Sequence, residues 1–241
     1  MRTSTFFISI CLVLCFNLLN AQNIGINKEQ PKDTVVYKTG YGLRLGVDLS
    51  KASLSFFDKS YNGLEIVGDY RISSRWYLAA EIGYEEEITF EDFTTSSAKG
   101  NYIRVGANYN TYNNWLDMNN EIYVGGRYGV ALFDHTLRSY NPNVTTGDVN
   151  VPIYFPSTPV NTPVTETGLT AQWLEFVFGI KVETFKNLFI GFSGSFKIAT
   201  AIEDQIGFKT LYAPGFNDIL NSSTGFGYNY TLTYLIPFVN K

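Results

Sequence analysis

The sequence predicts an all-β fold, an eight-stranded antiparallel up-and-down transmembrane β-barrel of the small outer-membrane type, with a filled polar interior. Three observations predict it. From Gly40 onward apolar and polar residues alternate with period two, in eight segments of about ten residues or more. The connections between those segments alternate short and long, as periplasmic turns and extracellular loops do in outer-membrane barrels. Composition agrees: 16% of residues are aromatic and only 17% charged, against roughly 25% charged in ordinary soluble domains.

Met1 to Ala21 reads as a signal peptide. Arg2 supplies a positive start, Phe6 to Leu19 is almost wholly apolar, and Asn20-Ala21-Gln22 offers a cleavage point. The apolar run is shorter than the roughly 20 residues of a spanning helix. Cys11 and Cys15 both lie inside it, so the processed chain carries no thiol. Leu14 occupies the position where lipid attachment at Cys15 would need a small residue. Gln22 to Thr39 is polar and reads as a periplasmic tether, leaving 40–241 as the barrel.

The first segment, Gly40 to Lys51, sets Tyr41, Leu43, Leu45, Val47 and Leu49 against Gly42, Arg44, Gly46, Asp48 and Ser50. The second spans Asn62 to Ile72, the third Trp76 to Glu85, the fourth Asn101 to Asn110 and the fifth Asn120 to Phe133. The sixth runs over Ala171 to Val182, the seventh over Leu188 to Ile198 and the eighth over Gly225 to Phe238. Pro237 lacks a ladder donor and so belongs near a strand end. Four stretches read as the long loops: Ala52 to Tyr61, Glu86 to Gly100, Asp134 to Thr170 and Ala199 to Thr224.

Alternation alone does not say which face is inside. The polar face is rich in glycine, including Gly42, Gly46, Gly83, Gly106, Gly129 and Gly179, which suits a crowded interior. Its charges nearly cancel: Arg44, Arg71, Arg104, Arg127, Lys181 and Lys197 oppose Asp48, Glu65, Asp69, Glu81, Glu85, Glu121 and Glu175. Aromatic residues of the apolar face (Tyr41, Tyr70, Trp76, Tyr84, Tyr109, Tyr228, Phe238) gather near strand ends, as in membrane-interface girdles. The apolar face is therefore expected to meet lipid, and the charges to pair into a structural plug, because eight strands enclose only enough room for side chains. A secreted lipocalin-like carrier is the reading with the faces reversed.

Chemistry has few footholds. His135 is the single histidine; with Ser139 and an acid it is the weak candidate for an outer-leaflet lipid-modifying hydrolase. The acidic run Glu85-Glu86-Glu87 with Glu91 and Asp92 lacks the spacing of a calcium loop. No P-loop, dinucleotide fingerprint or zinc spacing occurs, so no cofactor and no metal are expected. A net charge of −4 argues against nucleic acid as a partner. The loop between the fifth and sixth segments concentrates Pro142, Pro152, Pro156, Pro159 and Pro163 around Tyr154 and Phe155. Proline stiffens such a loop, which makes it the expected contact for a surface partner or glycan.

Several stretches carry a resemblance: Lys32 to Thr39, Tyr41 to Ser50 (YGLRLGVDLS), Gly63 to Ile72 (GLEIVGDYRI), Trp76 to Tyr84 (WYLAAEIGY), Ile122 to Gly129 (IYVGGRYG), Trp173 to Lys181 (WLEFVFGIK) and Tyr230 to Pro237 (YTLTYLIP). Together they resemble an uncharacterised outer-membrane β-barrel family of Bacteroidota, of the DUF 6048 type. The resemblance implies an outer-membrane barrel and brings no catalytic residue with it. The expectation is a monomeric, non-porin barrel contacting outer-membrane lipid, exported by the Sec route, with a structural or surface-interaction role and no enzymatic activity.

Overall fold

A computed structural model describes residues 40–113, 119–142, 158–219 and 223–240. The expected signal peptide and tether lie outside them. In chain order the elements are β1 (Gly40–Asp48), α1 (Leu49–Phe57), β2 (Tyr61–Arg71), β3 (Trp76–Phe90), β4 (Thr94–Asn110), β5 (Glu121–Tyr140), β6 (Val164–Phe185), β7 (Leu188–Ile202), β8 (Tyr212–Ala213), β9 (Asn217–Asp218) and β10 (Thr224–Asn240). Eight of the strands form one closed antiparallel ring in the order β1-β10-β7-β6-β5-β4-β3-β2. The small β8–β9 hairpin stands apart from it. Short turns join β2 to β3 and β6 to β7 at one end, the turn end; α1 and the β8–β9 segment belong to the opposite, loop end.

The eight predicted segments are the eight ring strands. Pro237 lies near the end of β10, where the β1–β10 register shifts between Tyr41 and Gly42, so its missing donor falls at an irregularity of the ladder. The first segment ends earlier than expected. β1 stops at Asp48, whose carboxylate caps the next turn by accepting from the Ser50 backbone N–H at 2.9 Å. The chain then forms α1, so Lys51 lies on a helix and much of the expected first loop is helical. Three other long loops are shorter than expected because the strands run on. β3 and β4 pair as far as Phe90↔Thr95, and β5 and β6 as far as Leu137↔Val164.

The reason is a reversal of polarity along the ring. In the turn-end and middle portions, outward residues such as Leu78, Ile82, Ile103, Phe176 and Phe178 are apolar and exposed, while Arg44, Glu65, Arg104 and Glu175 are buried inside. Beyond that belt, outward positions such as Glu86, Lys99, Asp134 and Thr170 are polar, and a group of inward ones is apolar. Ala98, Ala131, Phe133, Leu169, Ala171 and Trp173 form a buried cluster with Tyr212, Phe216 and Ile219 from the β8–β9 segment. The interior thus has two storeys: a charged one under the apolar belt, and an apolar one at the loop end, completed by a segment expected to be a plain loop.

Candidate functional site

The lumen of the ring holds the densest chemistry. Period-two geometry brings inward side chains from all eight ring strands towards one axis. Near the turn end, Arg44 on β1 reaches Asp69 on β2 and Glu121 on β5, each at 2.5 Å. Lys181 on β6 meets the other oxygen of Asp69 at 2.5 Å. In the middle, Arg104 on β4 holds three carboxylates: Glu65 at 2.6 Å, Glu81 at 2.8 Å and Glu175 at 3.2 Å. Arg127 reaches Glu81 at 3.3 Å, and Lys197 reaches Glu175 at 3.4 Å. The gap left among Asp69, Glu81, Asn108, Tyr123, Arg127 and Lys181 is about 30 Å³, room for about one water.

Two predicted interior residues have other partners. The Asp48 carboxylate accepts from the Asn229 side chain at 2.7 Å and the Tyr230 N–H at 3.1 Å. Arg71 donates to the carbonyls of Ser73 and Ser74 in the β2–β3 turn and lies over the rings of Tyr41 and Tyr77.

Lys51, absent from the predicted interior set, is buried and joins it from α1. Its ammonium pairs with Glu85, lies 3.9 Å from Glu65, and stands over the Tyr102 ring at 5.7 Å. Glu85 also accepts from Tyr61 Oη at 3.0 Å, Tyr212 Oη at 2.8 Å and the Gly215 N–H at 2.6 Å. Tyr102 donates to Glu65. The signal for Lys51 was legible: it falls on the odd, apolar positions of the first segment, and an aspartate just before it is a helix-capping residue.

The acidic run is split by the strand it lies on. Glu85 points inward, and Glu86 lies opposite Lys99. Glu87, beyond the apolar belt, is half-buried near Asp58, Asp218 and Glu85; burial and those like charges push its carboxyl up to about 7. Glu91 and Asp92 are exposed in the β3–β4 turn. No group of three histidine, cysteine or acidic residues is placed to hold a metal among the described residues.

His135, also beyond the belt, is buried against Phe208 at 5.6 Å between ring centroids. Its Nδ1 is paired with Gln205 Oε1 at 2.8 Å, and the Gln205 amide donates to the Val164 carbonyl. Burial holds the imidazole below its usual pKa, opposed by Gln205 and Asp204. No hydrogen bond joins His135 to Ser139 among the described residues. Pro142 and Pro163 stand at the two ends of the β5–β6 connection, while Tyr154, Phe155 and Pro156 lie outside the described residues.

A closed eight-stranded antiparallel ring, apolar outside and charge-paired inside, with a second apolar storey above, is the class of protein these features define. The chain belongs to the family described as Domain of unknown function (DUF6048), whose model matches residues 3–241. No curated protein matches the chain.

Proposed function

We propose that the protein is a monomeric outer-membrane β-barrel with a sealed lumen, acting in a structural or surface-interaction role rather than as a porin. One observation carries the reading: burial is inverted over the belt. Leu45, Ile66, Leu78, Ile82, Ile103, Leu174 and Phe178 are exposed, while Arg44, Glu65, Arg104 and Glu175 are buried and paired. Water favours the opposite arrangement, so the outward face calls for an apolar solvent. Ring closure pairs the first and last strands, so wherever all eight strands are side by side no backbone edge meets that solvent. Interface aromatics fit as well. At the turn end Trp76 and Tyr109 pack edge to face at 5.1 Å, and Arg75 donates to the Tyr109 hydroxyl at 3.0 Å. No helix among the described residues is long and apolar enough to cross a membrane. The same inversion argues against a soluble lipocalin-like carrier, and the burial of His135 against Phe208, with no hydrogen bond to Ser139 among the described residues, argues against a hydrolase.

The test is gel mobility of the processed protein from an outer-membrane fraction, boiled and unboiled, together with planar-bilayer recording. A faster unboiled band and no stable conductance are expected. Recovery in the soluble periplasm with no mobility shift would overturn the membrane assignment, and steady single-channel currents would overturn the sealed lumen.

A further inference from the structure

The wall of the ring is incomplete on one side. The last β1 pairs are Val47↔Ile66 with β2 and Asp48↔Thr231 with β10. Both neighbours continue further towards the loop end, β2 from Tyr61 and β10 from Thr224. Over that stretch no strand among the described residues joins them. The outward residues there are still apolar: Leu64 on β2, and Tyr228 and Phe226 on β10, Phe226 being 75% exposed. The gap therefore falls inside the apolar belt, not above it.

Helix α1 fills the gap with side-chain contacts in place of a ladder. Ser55 Oγ accepts from the Gly63 N–H at 2.7 Å and donates to the Gly63 carbonyl at 3.1 Å, serving one residue of the β2 edge. The helix shares the inverted polarity of the ring. Its buried residue is Lys51, while Leu54, Phe56 and Phe57 face out, the two phenylalanines 84% and 83% exposed. Behind it lies a cage for a cation: Glu85, Glu65 and the face of Tyr102, with Tyr61 and Tyr212 hydroxyls holding the Glu85 carboxylate in place. Ring face and carboxylates together are an ammonium-recognising set. Glu85 follows Tyr84, the register partner of Leu64, so the cage lies at the loop-end rim of the belt, next to the lipid headgroups under the outer-membrane reading.

We propose that this helix-sealed gap is a lateral binding site for an outer-leaflet lipid whose headgroup carries a primary ammonium, which replaces the Lys51 ammonium against Glu85, Glu65 and Tyr102 when α1 swings aside. The site rests on the outer-membrane reading. Lys51 is the tethered occupant, and the chains of the bound lipid lie against Leu64, Tyr228 and the displaced phenylalanines. A lipid that favours the open arrangement raises its population in proportion to its differential affinity. A quaternary headgroup offers no N–H to the carboxylates, so it discriminates the cage from simple lipid contact.

The experiment uses the full processed chain in nanodiscs of phosphatidylethanolamine or phosphatidylcholine, and in equimolar mixtures. For the wild type, amide exchange at residues 62–65 and 225–229 is expected to be faster in phosphatidylethanolamine, with residues 78–82 unchanged. For Lys51→Ala and Ser55→Ala, native mass spectrometry after extraction from the mixture is expected to find one phosphatidylethanolamine retained. The preference over phosphatidylcholine should be about tenfold or more, the scale of charge-assisted hydrogen bonds. Ser55→Ala keeps every charge and so carries the test if Lys51→Ala does not fold. Headgroup-independent exchange with no preferential retention, in barrels that keep their heat-shifted mobility, would overturn this site and leave the membrane reading standing. Loss of the mobility shift in the wild type would instead overturn the membrane reading itself.

Discussion

Inward glycines and inward aromatics are paired across strands. Gly83 lies opposite Tyr102, Gly179 opposite Tyr123 and Gly129 opposite Trp173. A Cβ on Gly83 would meet the Tyr102 ring at 2.4 Å, and the hydroxyl of that ring donates to Glu65. Gly83→Ala is therefore expected to lower stability by about 1–3 kcal/mol through overpacking, read as a lower urea midpoint. Arg104 is the most connected cation, and Arg104→Met leaves Glu65, Glu81 and Glu175 without it. A loss of about 3–5 kcal/mol in the same assay is expected, because buried charge is left uncompensated. Glu87 titrates the other way from most carboxylates. Its folded value of about 7 exceeds the ordinary 4.5, so its contribution is present below pH 4.5 and is lost as pH rises through about 7. Glu87→Gln should then raise the midpoint at pH 8 and make no difference below about pH 4.5. The glycine, the arginine and the other charges were readable from spacing, since period two places them on one face. Lys51 was not placed, because a strand ending one turn early shifts every later side chain out of the alternation.

At the scale of elements, the reading succeeded wherever the outward face is apolar. Trp76 to Tyr84 and Ile122 to Val130 alternate cleanly for that reason. It failed where β3–β7 extend past the belt, since Glu86, Lys99 and Thr170 outside and Ala98 and Ala171 inside give a weak or reversed contrast. Tyr212 to Ile219 carries no regular period, yet its side chains fill the upper storey against Trp173, with Phe216 at 5.9 Å from the indole. Replacing residues 212–219 by a flexible linker should open that storey to water and lower thermal stability. The bilayer should remain unconducting, because the Arg104 and Arg44 clusters beneath still block the lumen. Measurable current through the deletion variant would show that the hairpin, not the charges, makes the seal.

For the whole molecule, the ring and the long β5–β6 connection are separable in energetic terms. β5 and β6 are already paired below residue 140, so the ladder does not depend on the residues between them. Deleting 142–163 and joining the strands by a tight turn should leave the heat-shifted mobility unchanged while removing any surface partner. Failed assembly would place that connection in the fold. Ring closure has a consequence for biogenesis. β1 pairs with β10, the first strand of the barrel with the last, at Gly40↔Asn240 and Leu43↔Ile236. Until the final segment is in place there is nothing to seal the first, and the entropy of joining such distant ends falls on that one event. β1 is also the shortest of the eight, so the seam is held by a shorter ladder than any junction among the other seven strands of the ring. Assembly is therefore a single late commitment, and a chain cut anywhere before Thr224 is left as an open sheet for proteolysis to clear.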